Sequence, residues 1–233
     1  MAPELVPHIV RNARIHEVRV HDKPLGRNIL HDSRSRNHVA EEATQIVDVD
    51  HGSVGLPLNQ LNVGKCTAEG LCGCLNTSPD NTTERVYTDV DSDQLYSRET
   101  ADEGYPWPQY DPGGSGLAVC RAAKELGWIT SYKHSFTHMG ALKALVLRPG
   151  MMGSYWYDSF DHPDSNGVVS ISPHAGIRGG HEIFAHQIVV EERLVGFWNS
   201  WGPEYGIGGK FYMSWDTIER LLNESGDVTF PIP

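Results

Sequence analysis

A chain of 233 residues is long enough for one large domain or two small lobes around a sizeable core, which excludes a disordered or fibrous protein. Hydrophobic residues make up 39% and charged residues 21%, with 24 Gly, 14 Pro and 6 Trp, as in a loop-rich globular chain. The 19 Lys and Arg against 30 Asp and Glu give a formal charge of -11; with no basic run and no apolar run of membrane-spanning length, neither nucleic acid nor a membrane is expected as partner.

Residues 1–43 are polar, rich in His and Arg and without periodicity, so an extended, solvated arm or wrapping strap is expected there. The charges spread over Met1 to Val20 replace the apolar segment of a signal peptide, and a cytoplasmic location follows as the expectation. Residues 44–233 read as the functional domain. Within it Thr44 to Asp50 alternates like a half-buried strand, Gly52 to Gly64 has loop chemistry, and a tightly packed helix is predicted from Cys66. That helix has to bear Gly70 and Gly73, each costing about 1 kcal/mol of helix propensity.

A long acidic and Pro-rich stretch then runs to Gly114. A second helix spans about Gly116 to Leu126, with Ser115 as N-cap and Gly127 as stop. From there the chain becomes short runs bounded by Gly, Pro, Asn and Asp: "ALKALVLRPG", "MMGSYWYD", "GVVSIS", "HEIFAHQIVV", "RLVGFWNS" and "GKFYMSW". These are predicted strands of an antiparallel sheet or half-barrel. A short helix from Asp216 to Leu222, with Asp216 and Glu219 in capping-box spacing, follows them. The layout is α+β, with a helical lobe over about 52–130 and a β lobe over about 131–233.

Three signals carry the chemistry: Gln60 six residues before Cys66 at a loop-to-helix junction, His181 after two glycines at the head of a strand, and Asn199 in "NSWG". Together they offer a thiol nucleophile, a base, an orienter for the base and an oxyanion donor, which is what acyl transfer through a thioester needs. A free thiol near pKa 8.5 is only a few per cent thiolate at neutral pH, so a helix N-terminus and an opposed imidazole would be needed to stabilise the thiolate–imidazolium pair. That chemistry requires no metal and no organic cofactor.

These residues, in "NQLNVGKC", "GKCTAEG", "RGGHEIF" and "FWNSWGPEYGIGGKFYMSW", resemble the papain-like cysteine peptidases. More narrowly, "GRNILHDSRSR", "GSGLAVCRAAKELG", "RGGHE" and "GDVTFPIP" look like uncharacterised papain-like proteins of actinobacteria and their phages. The resemblance implies a two-lobed fold with Cys66 on one wall of a cleft and His181 on the other. It further implies that Asn199 fixes the imidazole, that Trp201 shields that contact from water, and that Gly113 and Gly114 let a substrate backbone pair as an extended strand. Val63 and Thr67 stand where the family typically has a disulfide cysteine and an aromatic residue. A phage-encoded member would allow a virion-associated location.

The remaining thiols, Cys72, Cys74 and Cys120, read as reduced packing residues, and the spacing of Cys66, Cys72 and Cys74 does not fit a zinc site. His174 and His186 compete with His181 but do not follow the double glycine. Glu182 alternates with His181 to the opposite strand face, which reads as surface or loop-binding. Tyr155 to Asp158, "YWYD", reads as core and cleft wall. The expected activity is hydrolysis of peptide or amide bonds in a peptide or protein substrate. The alternatives are an idle papain-fold protein, as a phage structural or peptide-binding component, and a thiol acyltransferase.

Overall fold

The structure is a computed structural model that describes residues 23–83 and 85–233, together with the backbone of a hairpin, β1 (Pro7–Val10) and β2 (Ala13–His16). The rest of the expected arm before residue 23 lies outside the described residues. From residue 23 the arm departs from the solvated expectation, because Pro24 to Asn28 are buried. A 3-10 turn at Ser33–Asn37, capped by Asp32, brings it back to the surface. Of the strand expected over Thr44 to Asp50 only β3 (Val49–Asp50) forms.

Helix α1 (Cys66–Leu75) has all ten residues buried, and its glycines are explained by packing: a Cβ on Gly73 would collide with the ring of Phe184. The acidic stretch that follows is in part helical. It contains α2 (Asp89–Asp102), opened by a capping box in which Thr88 and Asp91 satisfy each other's backbone N–H groups. Its charged face meets solvent while Leu95, Tyr96, Glu99 and Thr100 turn inward, too few apolar residues to give a periodic signal. Helix α3 (Gly116–Glu125) starts where expected, with Ser115 Oγ accepting from the Ala118 N–H at 3.1 Å, and ends before Gly127 at φ +71°.

Strand β4 (Ser131–Ser135) is followed by α4 (His138–Leu145), which replaces a strand expected from "ALKALVLRPG". Ala141, Leu142, Ala144 and Leu145 are buried at helical spacing, and Thr137 caps the first turn. The β half then runs through β5 (Gly150–Tyr157), β6 (Val168–Val169), β7 (Ile177–Val189), β8 (Leu194–Trp198) and β9 (Lys210–Ser214). Helix α5 (Trp215–Asn223) is capped by Ser214, whose Oγ accepts from the Thr217 N–H, and not by the expected Asp216–Glu219 pair. Strand β10 (Asp227–Ile232) closes the chain.

The large sheet is ordered β4-β10-β5-β7-β8-β9-β6, with β3 added on β7; its pairs are antiparallel except β6 with β9. One core lies between this sheet and α4 and α5, around Trp156, Phe197, Phe211 and Leu221. A second gathers α1, α2 and α3 around Leu71, Leu95 and Val119 and reaches the sheet through Met151 and Phe184. The N-terminus of α1 thereby lies against β7, at the strand position that carries His181. Among the described residues no helix is long and apolar enough to cross a membrane.

Candidate active site

Cys66 is the first residue of α1 and is fully buried. Its thiol accepts backbone N–H bonds from Glu182, the residue after His181, and from Gly26 of the N-terminal segment. Across from it, His181 Nε2 lies 2.8 Å from Asn199 Oδ1, which also accepts from the Ser200 N–H at 2.8 Å and is thereby held in place. The carbonyl-type partner requires Nε2 to carry the proton in the neutral ring. His181 Nδ1, buried and without a hydrogen-bond partner, is left as the basic atom. Trp201 stacks on the imidazole with centroids 5.0 Å apart, and Trp156 meets both rings edge-on at 4.8 and 5.2 Å. The two indoles wall the His181–Asn199 contact off from water.

Gln60 is also buried, its Oε1 accepting from Ser200 Oγ at 2.6 Å. Its Nε2 donates to the Val63 carbonyl at 2.8 Å and to the Pro24 carbonyl at 3.3 Å. The four residues singled out in the sequence thus meet in one place. His174 is exposed and away from it, and His186 pairs instead with Asp50, its Nδ1 3.2 Å from the carboxylate. Trp201 packs behind the histidine and gives its Nε1 hydrogen to Pro24.

The sequence allowed a wrapping strap at the N-terminus and left open what fills the cleft. The chain from Lys23 to Asn28 runs through it as an extended strap. The Lys23 carbonyl accepts from Arg178, the Pro24 carbonyl from Gln60 and Trp201, and the Gly26 carbonyl from the Gly114 N–H at 2.7 Å. Arg27 N–H donates to the Gly180 carbonyl at 3.0 Å, and Asn28 N–H to the Gly114 carbonyl at 2.5 Å. Gly114 therefore does pair with an extended backbone, and the backbone is the chain's own. Gly113 lies beneath it, its N–H bonded to the Tyr96 hydroxyl. A Cβ on Gly26 would collide with the Gly64 backbone, so only glycine passes at this point. A Pro-Leu-Gly run inside a polar arm was the available signal.

The strap changes the electrostatics of the pair. Burial pushes the Cys66 thiol up and holds His181 down to about 4, shifts that favour the neutral form of each. Burial thereby disfavours the thiolate–imidazolium pair expected from the sequence while the strap is in place. Glu182 departs from the expected surface role: it is fully buried, directed to the strap's Arg27. The four cysteines are free and buried, and among the described residues no cluster of metal-ligating side chains occurs.

No family model matches the chain, and no curated protein matches it in sequence. Solved structures do match. A cysteine protease from Xylella fastidiosa, xylellain, superposes with a TM-score of 0.72 at 16% identity, over 92% of this chain and 98% of that one. The fold is that of the papain-like cysteine proteases. The Amb a 11 cysteine protease of ragweed pollen in its proform shares the papain-like fold at a TM-score of 0.59 and 15% identity, covering 82% of this chain and 67% of that one. The Carica candamarcensis protease CMS1MS2, in complex with E-64, does so at 0.54 and 12%, over 78% and 94%.

Proposed function

We propose that the chain is a cysteine peptidase held in a covered state by its own residues 23–28. The observation that carries the reading is the His181–Asn199 bond at 2.8 Å, which leaves the unpartnered Nδ1 on the cleft beside the N-terminus of α1, where Cys66 sits. In the open enzyme Cys66 Sγ bonds to the carbonyl carbon of a peptide while its proton passes to His181. The imidazolium gives that proton to the amine as the C–N bond breaks. Water, losing a proton to His181, then attacks the thioester, and the acid product leaves as the thiol is restored.

Asn199 keeps the ring in register through both proton transfers, and the stacked Trp201 keeps water from competing for that bond. Gln60 Nε2 and the Cys66 backbone N–H supply the oxyanion donors. In the covered state the Pro24 carbonyl takes the place at Gln60 that a substrate oxygen would use. The peptide or protein substrate enters as an extended strand on Gly114. The test is hydrolysis of a fluorogenic peptide by the full chain in which Gly26→Val has expelled the strap, compared with the same chain carrying Cys66→Ala. Turnover lost on Cys66→Ala supports the reading. Equal turnover in the two, or none in either together with no alkylation of Cys66, overturns it in favour of an idle peptide-binding fold.

A further inference from the structure

The strap carries one side chain into a pocket of unusual charge. Arg27, with its side chain 1% exposed, extends between Glu182, whose side chain is fully buried, and Asp227 at the start of β10. Its guanidinium donates to Asp227 Oδ1 and, at 3.1 Å, to the Ser225 carbonyl; its Nε lies 3.9 Å from Glu182 Oε2. Glycines make the room: a Cβ on Gly153 would collide with both Arg27 and Glu182, and one on Gly116 would press on Glu182, Asp227 and Thr229. Neither oxygen of Glu182 has a hydrogen-bond partner. Burial and the neighbouring charge of Asp227 raise its pKa well above the carboxylate range, and Arg27 is the cation that opposes this.

Two facts connect this pocket to catalysis and not only to anchoring the strap. The first is place: Glu182 follows His181 directly, and its N–H bonds to the Cys66 thiol. Arg27 also projects from the strap residue that pairs with Gly114. A peptide lying on Gly114 in the same cleft presents a side chain to the same opening. The second is charge balance: turnover requires the strap to leave, and its departure strips Asp227 of its ion-pair partner and takes away the cation beside the buried Glu182. A buried carboxylate without a partner is costly, and a leucine or phenylalanine in the pocket would leave it so. A basic side chain restores the pairing.

Building on the peptidase reading above, we infer that Glu182 and Asp227 form a specificity pocket for a basic side chain, arginine before lysine, on the substrate residue that pairs with Gly114. Arginine is preferred because its guanidinium donates to Asp227 and to the Ser225 carbonyl at once while Nε lies 3.9 Å from Glu182, where an ammonium is a point charge.

The experiment separates the pocket from the chemistry. The full chain carrying Gly26→Val, Arg27→Ala and Cys66→Ala is titrated by calorimetry with N-acetyl-Ala-Xaa-Gly-Ala-Ala-amide peptides, where Xaa is arginine, lysine, citrulline or leucine. Citrulline keeps the shape of arginine without its charge. The arginine peptide is expected to bind at least tenfold tighter than the citrulline and leucine peptides, with lysine between. Asp227→Asn is expected to remove most of that advantage. Glu182→Gln should do the same, and if its burial prevents folding the partly exposed Asp227 keeps the test intact. Equal affinities for arginine and citrulline, or no binding of any peptide, overturn the inference. With Cys66 restored, cleavage of all four peptides at similar rates would overturn the pocket while leaving the peptidase standing. Absence of both cleavage and Cys66 alkylation, with arginine-selective binding retained, would overturn only the peptidase.

Discussion

At the residue scale the candidate site depends on hydrogen bonds whose loss has distinct signatures. If Gln60 is the oxyanion donor proposed above, Gln60→Ala is expected to lower kcat by about 10²–10³ with little change in KM, read by steady-state kinetics on a strap-opened chain. That Gln60, Cys66, His181 and Asn199 belong together was legible in the sequence, because acyl-transfer chemistry calls for these residue types in this chain order. Glu182 was not. Strand alternation places it opposite His181 and says nothing of what covers that face, which is set by Arg27 and Asp227, more than 40 residues away on either side. The downward shift of His181 was equally hidden, since it comes from burial that spacing along the chain does not reveal.

At the element scale the strap, α1 and β7 share one tight contact. Arg27→Ala leaves Glu182 and Asp227 without their cation, and breaking a buried pair of this kind costs about 3–5 kcal/mol. Part of that cost falls on the covered state, so Arg27→Ala is expected to speed alkylation of Cys66 by a thiol epoxide several-fold, read by intact mass. The glycines of α1 give a separate prediction. Gly73→Ala forces a Cβ into the Phe184 ring, and a loss of about 1–3 kcal/mol in denaturant unfolding is expected. Helices α1 and α3 were legible from their small buried residues and caps, whereas α2 was hidden by an almost wholly polar sequence and α4 by Leu and Val runs that suit either period.

At the scale of the whole molecule, buried titratable groups set opposing pH limits. His181 and His186 are held down to about 4 by burial, so the unfolded chain binds more protons below about pH 6.5, and stability falls as pH drops from there toward 4. Glu99 and Glu69 are raised by burial to about 8 and about 7; the folded chain holds protons that the unfolded chain releases, and stability falls as pH rises from about 4.5 through those values. The thermal midpoint is therefore expected to peak between about pH 5 and 7 and to decline on both sides. In Glu99→Gln the alkaline decline should become shallower. A midpoint flat from pH 4 to 9 would contradict these assignments.

On the proposed reading, residues 23–28 cover a thiol that becomes activated, and so reactive, only when they leave. The most direct measurement is the rate and site of labelling by E-64 near pH 6, in the natural chain and in Gly26→Val, by intact mass and peptide mapping. Single-site labelling at Cys66, slow in the natural chain, faster by at least tenfold in Gly26→Val and lost when His181→Ala is added, is the predicted result. Slow labelling scattered over Cys66, Cys72, Cys74 and Cys120, at the same rate with and without the strap in place, would contradict it.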